Sequence, residues 1–586
     1  MEEGDDPSPT GQIGHVQRNL LEEDHMGRVL SRRLATTRAA VGLVIVSLAI
    51  VACGGTTTSA APSGAATTAP SGGSAAPSAA ASAAATTIES MKMAGAGPVL
   101  TLDVTKSGDL VSVDTIILTQ GALYRHDKNG VPKPELVDTL TTSTDGKTVT
   151  IKLKANQKYS DGTPVTAADV KAIVDRQLNT AKAGQPPTPG ANKIFINSVV
   201  SADVIDELTA QLNLSYPDPD LLNGLSGRAM ALNPASKLAA DPDYLLHPVS
   251  AGPYMVQEFT PNKTFTMVEN PNYIGGPMVV KKVEISYVPD LTSKVLQLAT
   301  GELQFVWDLP IAAKDSLPPE VKQFTIEVGG ANTLYLNMDP AGKAGSKFAD
   351  PKVRQAMSLA INRKAIADTA FAGLVKPLTS FWYDCPDICP TGMLPNGGVQ
   401  DVEAAKKLMT EAGVPAEGIS AEMLVSSTRG GWKEGATLVA ADLEAIGVHL
   451  TVTPVDEATW NGAVANNNFE SVYNGGASSP QITMSSWFGN GFSATHSGYV
   501  KVPDHDKVVA LIDQMAQETD VAKRKDLMTQ IQTFGTTTMP MVSLVDRIAL
   551  DGTRLPDGVL SVANQTPGYI IFQTVAEQGA GKAAGS

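Results

Sequence analysis

Cysteine is scarce in this sequence, with three residues in 586. Two of them, Cys385 and Cys389, lie close together in the stretch "FWYDCPDICP". In an oxidising compartment such a pair favours a disulfide that closes a small loop, and free thiols are the alternative. A zinc site would need further ligands, and no histidine lies near the pair, so no metal centre is predicted there. The third cysteine, Cys53, stands alone.

Basic charge is also in short supply. The chain has 45 lysine and arginine residues against 60 aspartate and glutamate residues, which gives a formal net charge of −15. No basic patch stands out along the sequence, and this argues against nucleic acid as a partner. Hydrophobic residues make up 42% and charged residues 18% of the chain, a balance that predicts a globular protein.

Motifs of common enzyme classes are missing. The chain contains no G-x-S-x-G, H-E-x-x-H, G-x-x-x-x-G-K-[ST] or C-x-x-C motif. The histidines after Cys53 are widely spaced, so each is expected at the surface or in packing: His126, His247, His449, His496 and His505. Converging carboxylates of a hydrolase are not recognisable in sequence, so that alternative stays open. We therefore predict a protein that is not an enzyme and has no cofactor or metal.

The sequence has one notable apolar run, and it ends at Cys53. The run has roughly a dozen residues, against about 20 for a helix that spans a bilayer, and four arginines precede it. A basic head, an apolar middle and small residues at the end predict a secretory signal. Within "SLAIVACGG", the residues Ile50-Val51-Ala52-Cys53 resemble the bacterial lipobox, in which the cysteine is acylated and becomes the new N-terminus. An ordinary signal peptide is the alternative, and Met26 is the expected true start because the acidic residues 1–25 do not fit a signal.

A low-complexity segment follows the predicted lipidation site. Residues 56–87 consist only of Ala, Ser, Thr, Gly and Pro, a composition that buries nothing and favours a flexible tether. The body beyond it has nearly 500 residues, enough for two or three lobes. We predict that residues 1–52 are removed, that 53–95 form a lipidated tether, and that the body works outside the cytoplasm.

Strand and helix patterns alternate through this body. "TVTIKLK" alternates apolar and polar residues as a half-buried strand does. Thr166 with Asp169 predicts a capping box, and Asp350 followed by Pro351 predicts another helix start. Two helices are expected on either side of Asp520. The pattern predicts an α/β protein without internal repeats.

Several stretches resemble one known family, in its order and spacing. They are "LVDTLTTSTDGKTVTIKLKANQKYSDGTPVTAADV", "SAGPYMVQEF", "VENPNYIGGP", "VPDLTSKVLQLATGEL", "DPKVRQAMSLAINRKAI" and "ETDVAKRKDLMTQIQTF". They resemble the dipeptide, oligopeptide and nickel-type extracellular solute-binding proteins of ABC importers. The resemblance runs from Leu100 to about Arg554. Most of these stretches are expected to shape the fold and not to contact a ligand.

The resemblance implies a two-lobed, periplasmic-binding-protein-like α/β fold with the ligand cleft between the lobes. Two extended crossings are expected near "TLYLNMD" and "MPMVSLVD", where the backbone would rotate as the lobes close. The implied divisions are lobe I at 96–120, 250–334 and 540–575, an extra subdomain at 121–249, lobe II at 335–539, and a flexible tail at 576–586.

The resemblance also points to a ligand-binding segment. Peptide binders of this family usually carry an aspartate in lobe II that pairs with the α-amino group of the peptide. The matching stretch, "FESVYNGGASSPQITMSSWFGNGF", begins near Glu470 and has no aspartate, which puts recognition of a free amino group in doubt. Its polar groups and one indole predict a site for a peptide backbone, a blocked peptide or a glycoside. The candidate ligand-binding residues are Trp487, Asn474, Ser485, Ser486, Asn490 and Tyr473, with Trp432 at a helix start and Trp460 at a strand end as weaker candidates.

The function implied by the resemblance is capture of a peptide or peptide-like solute for an ABC importer. Its partners would be permease subunits with cytoplasmic ATPases, and the membrane through a lipid anchor on Cys53. The protein is expected to be a monomer. Alternatives are a ligand-presenting sensor or scaffold of the same fold, and a binder of a glycoside or a metal chelate, for which His496 is the only plausible imidazole.

Overall fold

The structure is a computed structural model that describes residues 87–95, 97–181, 188–227, 229–382, 388–477, 504–562 and 570–578. These residues belong to the second of two compact units, Ala81–Ser586. The strands, in chain order, are β1 Met91–Ala94, β2 Tyr124–His126, β3 Pro132–Pro134, β4 Val137–Thr142, β5 Thr148–Leu153, β6 Val199–Val204, β7 Thr209–Leu214, β8 Tyr254–Thr260, β9 Thr264–Glu269, β10 Lys282–Ser286, β11 Phe305–Val306, β12 Lys322–Leu336, β13 Ile419–Ser426, β14 Val448–Val455, β15 Ser471–Ala477, β16 Met541–Thr553, β17 Leu560–Val562 and β18 Ile570–Phe572.

Helices occupy most of the connections between these strands. The α-helices are α1 Leu110–Gln120, α2 Ala167–Leu178, α3 Leu221–Gly224, α4 Ala235–Ala240, α5 Leu291–Thr300, α6 Pro351–Ala360, α7 Arg363–Ala365, α8 Val402–Glu411, α9 Trp432–Glu444, α10 Glu457–Ala465, α11 His505–Gln517 and α12 Val521–Thr538. Short 3-10 turns lie at Lys193–Ile196, Tyr244–Leu246, Ile311–Ala313 and Pro395–Gly398, and a π turn at Ile366–Ala370 follows α7. None of the helices within the described residues is long and apolar enough to cross a membrane.

Local sequence signals set several of these boundaries. The predicted capping box at the start of α2 is confirmed, with the Thr166 N–H donating to Asp169 at 2.9 Å. Asp350 caps α6, whose first residue is Pro351. Asp520 caps α12 through the Lys523 N–H, directly after the end of α11. The polar side chains satisfy backbone N–H groups that a helix start would otherwise leave unpaired.

The largest sheet among the described residues has ten strands. Its strand order is β14-β13-β15-β12-β16-β11-β1-β10-β9-β8. The pairs β1–β10, β1–β11, β13–β14 and β13–β15 are parallel, and the long strands β12 and β16 pair with each other in antiparallel fashion. A separate antiparallel sheet has the order β4-β5-β7-β6. The predicted mixed α/β architecture is confirmed.

The described body has two main hydrophobic cores. The first includes residues of β1, β5, β7, α2 and the chain end around Phe572. The second includes residues of α6, α9, α12 and β13, together with buried apolar residues of β12 and β16 and with Leu298 and Leu309. We call the β1–β11 region with β17 and β18 the first lobe, and α6–α12 with β13–β15 the second lobe. The predicted crossings "TLYLNMD" and "MPMVSLVD" overlap the paired strands β12 and β16, whose register shifts between Glu327 and Ala331. The predicted residue boundaries of the lobes and of the subdomain stay predictions.

Candidate functional site

A large cleft opens between the two lobes. Its empty volume is about 2210 Å³, which includes space open to solvent. One wall comes from first-lobe segments within 97–111 and 287–311, and the facing wall from second-lobe segments within 428–432 and 457–461. Residues 547–549 of β16 and Asn332 of β12 complete the lining between the walls. A concave space of this kind, lined by aromatic groups and a few charges, is the usual form of a small-molecule site.

Two indoles form the aromatic part of the second-lobe wall. The ring centroids of Trp432 and Trp460 lie 5.4 Å apart at an interplanar angle of 61°, and Tyr473 lies 5.8 Å from Trp432. The Trp460 Nε1 donates to the carbonyl oxygen of Tyr473 at 3.3 Å. Both indoles line the cleft but are only 3% and 5% exposed. They therefore act mainly as a packed support for what lies on their surface.

Backbone geometry places each indole. Gly431, with φ of +78°, directly precedes the first residue of α9, and a Cβ there would lie 2.7 Å from the carbonyl oxygen of Ala370. The left-handed conformation and the close approach both favour glycine. Asp456 caps α10 by accepting the Thr459 N–H. Trp460 lies within this helix, so its predicted position at a strand end is wrong, because β14 ends at Val455 and the Asp456 cap starts a helix at once.

An ion pair lies on top of the indoles. The Arg429 Nε donates to Glu457 Oε1 at 3.1 Å, and its Nη2 also donates to that oxygen. Glu457 Oε2 accepts from Ser426 Oγ at 2.6 Å and from Thr428 Oγ1 at 3.3 Å. Burial opposes ionisation of Glu457, but these hydrogen bonds and the charge of Arg429 outweigh it and lower its pKa. The carboxylate is thus fully occupied by the protein itself.

Besides its ion pair with Glu457, Arg429 contacts the two indole rings. Its guanidinium carbon lies 4.8 Å from the ring centroid of Trp432 and 5.7 Å from that of Trp460. Such cation–π contacts are worth about 0.5–2 kcal/mol each, more when water is excluded. The plane of the guanidinium is therefore fixed at the cleft surface, where a ligand carboxylate or amide oxygen can reach it.

The part of the lining that comes from β16 carries a second guanidinium. The Arg547 Nη1 donates to the carbonyl oxygen of Gly475 at 3.2 Å. Within the described residues the other guanidinium nitrogens of Arg547 have no hydrogen-bond partner. Burial, and then the charge of Arg429, lower the pKa of Arg547 to about 10, while Asp308 and Glu457 act in the opposite direction. Arg547 remains cationic at neutral pH and has free donors for an anionic ligand group.

The first-lobe wall has a different character. Trp307 is 2% exposed and packs edge-on against Phe305, with ring centroids 6.5 Å apart. Lys294 is buried, which lowers its pKa, and its Nζ donates to the carbonyl oxygen of Gly95 at 3.3 Å. Asp308 is half-buried, directly follows Trp307 in sequence and lines the cleft. This wall therefore offers both a cation and a carboxylate.

Another ion pair, between Asp220 and Arg524, connects the two lobes at a place away from β12 and β16. The Arg524 Nη2 of α12 donates to Asp220 Oδ2 at 2.5 Å, and its Nη1 donates to Asp220 Oδ1 at 3.4 Å. The two side chains are 13% and 16% exposed. Near them, burial and then the charge of Asp218 raise the pKa of Tyr216 to about 12, with Asp513 of α11 contributing. This contact links the region of β7 and α3 to the second lobe.

The predicted site residues are placed unevenly. Trp432 and Trp460 lie together at the cleft, and Tyr473 lies behind Trp432, fully buried. Asn474 is 7% exposed within β15, where its carbonyl oxygen accepts from Thr333 Oγ1 at 3.4 Å, and it is not among the described residues that line the cleft. The remaining candidates lie outside the described residues: Trp487, Ser485, Ser486, Asn490 and His496.

Of the three cysteines with a predicted role, Cys389 is among the described residues. Cys389 is disulfide-bonded. Its predicted partner Cys385 and the predicted lipidation site Cys53 lie outside the described residues. Among the described residues no group of three metal-ligating side chains comes together.

The charged residues of the cleft were not predicted from the sequence. Arg429 stands in "STRGGW", where two glycines before a tryptophan indicate a close backbone approach. Arg547 and Asp308 lie within short apolar stretches, and charges in such stretches signal a functional site when they face a cavity. Which of them meet depends on contacts between distant segments, so composition alone does not reveal the group.

The chain matches the model of a known protein family. Residues 131–497 match the model described as bacterial extracellular solute-binding proteins, family 5 Middle. The glutathione-binding protein GsiB of Escherichia coli O1:K1 / APEC is 29% identical over 363 residues, which cover 61% of this chain and 67% of the relative. GsiB of Salmonella typhimurium is 27% identical over 365 residues, with the same coverage.

Solved structures of binding proteins share the fold. AgaA from A. tumefaciens R10, in complex with agropinic acid, has a TM-score of 0.70 at 22% identity and covers 84% of this chain and 97% of its own. DppA from Helicobacter pylori, in complex with the peptide STSA, has a TM-score of 0.71 at 18% identity, with 83% and 98% covered. NikA from Staphylococcus aureus, in complex with Ni(L-His)2, has a TM-score of 0.68 at 18% identity, with 82% and 98% covered. These similarities confirm the two-lobed periplasmic-binding-protein fold.

Proposed function

Because this chain belongs to the bacterial extracellular solute-binding proteins of family 5, we propose that it captures a peptide or peptide-like solute and delivers it to an ABC importer. The protein acts as a binding component and not as an enzyme. Capture takes place in the cleft between the lobes, and closure of the lobes around the solute presents it to the permease. The relatives support this class of ligand, since one is named for glutathione and one structure holds the peptide STSA.

The observation that carries the proposal is the mixed charge of the cleft. Arg429 and Arg547 present donors to a carboxylate or to backbone carbonyl oxygens, and Asp308 lies on the opposite wall. A peptide has charges of both signs and a chain of amide groups between them, so it can satisfy both walls at once. A neutral glycoside would leave the charges desolvated and unpaired, which is costly.

The direct test is to identify what the protein carries. Native mass spectrometry of protein purified from its host would give the mass of any bound solute. Titration calorimetry with glutathione, tri-alanine, a disaccharide and the nickel–histidine complex would then compare the ligand classes. We expect the peptides to bind. Binding of only the sugar or only the nickel complex would overturn the peptide proposal and favour the corresponding alternative.

We also propose that the protein is anchored to a membrane. Acylation of Cys53 would anchor it to the outer face of the cell membrane, with residues 56–87 as a tether. Replacing the cysteine, Cys53→Ser, should block lipidation and release the protein into the medium or leave a precursor. A variant that stays in the membrane with normal mature mass would contradict the lipid anchor.

A ligand-presenting sensor of the same fold is the second candidate. Adjacent genes for two permease subunits and ATPases would favour import over sensing. Loss of uptake of the identified solute on deletion of this gene would establish delivery. We expect the protein to act as a monomer, which light scattering after gel filtration would check.

A further inference from the structure

Three consecutive backbone N–H groups hold the segment around Asp308 in place. The Trp307 N–H donates to the carbonyl oxygen of Ala94 at 3.0 Å, and the Leu309 N–H donates to that of Leu550 at 2.6 Å. Between them, the Asp308 N–H donates to Asp551 Oδ1 at 3.0 Å. Asp308 has a φ of +55°, in the left-handed region that few residues other than glycine, asparagine and aspartate adopt readily. The backbone is therefore fixed, and with it the direction in which the side chain leaves the backbone.

The carboxylate of Asp308 differs from the other carboxylates that line the cleft. Glu457 is bonded to Arg429, Ser426 and Thr428, and Asp109 accepts the Ser112 N–H at the start of α1 at 2.8 Å. The Asp308 carboxylate accepts no hydrogen bond and forms no ion pair within the described part of the chain. Of the three, it alone faces the cleft with its hydrogen-bonding capacity unused by the described residues.

The neighbouring cations do not neutralise Asp308 by direct contact. Lys294 donates to the carbonyl oxygen of Gly95, and Arg547 donates to that of Gly475. Both interact with Asp308 electrostatically, but neither forms an ion pair with it among the described residues. A half-buried carboxylate without a bonded cation is a ready acceptor for a positively charged ligand group.

The acidic residue at the start of the expected amino-binding segment is already engaged. Glu470 forms an ion pair with Lys347, and its Oε2 accepts the Glu422 N–H at 2.6 Å. It is not among the described residues that line the cleft. Glu470 is therefore unsuited to hold a ligand amine, and among the described residues that line the cleft the unpaired carboxylate, that of Asp308, lies on the opposite lobe.

We propose that Asp308 binds the free amino group of the ligand, so that the amine is recognised from the first lobe. This inference rests on the proposed function, because it assumes a peptide-like solute in the same cleft. A primary ammonium has three N–H donors and would bond the Asp308 carboxylate directly. The preferred ligands are then peptides with an unblocked N-terminus, and the doubt raised by the missing second-lobe aspartate is resolved by a different residue.

The test compares a free and a blocked peptide. Tri-alanine and N-acetyl-tri-alanine are titrated calorimetrically at pH 7, where the α-amino group of the free peptide, with a pKa of about 8, is mostly protonated. We expect the wild-type protein to prefer the free peptide by about 10- to 100-fold, the range of a charge-assisted hydrogen bond. In Asp308→Asn the preference should fall to about threefold or less, through loss of affinity for the free peptide only.

The substitution is chosen to spare the fold. Asparagine tolerates positive φ as aspartate does, and Asp308→Gly is a second variant that adopts this conformation without strain. Asp290→Asn is the matched control: Asp290 caps α5 in the same lobe, does not line the cleft, and asparagine caps equally well. This control should retain the full preference, and melting curves should show that all variants are folded.

The possible results separate this inference from the proposed function. If the wild-type protein binds both peptides equally, or if Asp308→Asn keeps the preference, the role of Asp308 is wrong while peptide binding stands. If neither peptide binds and the solute found by mass spectrometry is not peptide-like, both proposals are overturned. If that solute is a peptide without a free amino group, only the role of Asp308 is overturned. A carried solute with a primary amine, whose rebinding is lost on acetylation and in Asp308→Asn, supports the inference directly.

Discussion

The two walls of the cleft handle charge in different ways. On the second-lobe wall, Arg429 and Glu457 are paired with each other, supported by two indoles and joined by two hydroxyl groups. On the first-lobe wall, Asp308 is held rigidly by its backbone, but its carboxylate has no bonded partner among the described residues. The first arrangement stabilises the lobe, and the second leaves free energy to be gained only when a ligand arrives.

This difference has a general meaning for a two-lobed binder. A charge that is already paired contributes little to the difference in free energy between empty and occupied states. An unpaired charge adds to the binding free energy because it forms a new hydrogen bond with the ligand. The more that bond favours the closed state, the further it shifts the population towards closed molecules. We therefore expect substitutions on the second-lobe wall to affect stability first, and substitutions at Asp308 to affect affinity first.

The largest effect is expected from Trp432. Its indole is buried and contacts Trp460, Tyr473 and Arg429, so Trp432→Ala should lower the free energy of unfolding by about 3–5 kcal/mol. Trp307→Ala on the first-lobe wall, with an equally buried ring, should cost a similar amount. Chemical denaturation measures both.

The two variants should differ in a second property. Only Trp432→Ala removes an indole that contacts Arg429. The loss of stability in acid depends on the Arg429–Glu457 pair. We therefore expect only Trp432→Ala to change how the free energy of unfolding falls as the pH is lowered. If both variants change the loss of stability in acid equally, the Arg429–Glu457 pair does not depend on the Trp432 indole, and the contrast between the walls fails.

A smaller loss is expected from Glu457→Gln. The pair is about 70% buried, with side chains 27% and 31% exposed, and removing the charge should cost about 1–3 kcal/mol. Because the pKa of Glu457 is lowered on folding, its contribution is present above the unfolded pKa of about 4.3 and is lost as the pH falls through the folded value.

Unfolding curves between pH 7 and pH 3 test this direction of the pH dependence. The difference between the wild-type protein and Glu457→Gln should shrink towards pH 3. Glu403→Gln, whose pair with Lys406 is exposed, is the control and should change stability by no more than about 0.5 kcal/mol. A difference that grows in acid would show that the paired wall is not what stabilises this region.

The smallest effect is expected from the contact between Asp220 and Arg524. A double-mutant cycle with Asp220→Asn and Arg524→Gln should give a coupling of roughly 1–2 kcal/mol, since the pair is mostly buried and uses two donors. Small-angle scattering of the variants would report the separation of the lobes. A coupling near zero would mean that β12, β16 and the cleft walls alone hold the lobes together.

Sequence patterns predicted much of the local structure correctly. The capping residues Thr166, Asp350 and Asp520 start helices where expected, because a cap needs only neighbours a few residues away. Trp460 was misplaced because the strand pattern of β14 ends directly at a helix cap, and periodicity alone does not separate the two. Asn474 looked like a ligand group in sequence, but in β15 it is buried and is not among the described residues that line the cleft.

The sequence by itself determined the α/β class, the family and most helix starts, since periodicity and capping depend on contacts within a few residues. Only the tertiary structure decided which charges share the cleft. Arg429, Glu457, Arg547 and Asp308 come from four separate segments. They are brought together by pairing of β16 with β11 and β12 and by the contact of Trp432 in α9 with Trp460 in α10. Whether a charge is paired or free depends on partners far away in the chain, and this property is what distinguishes a stabilising residue from a binding one.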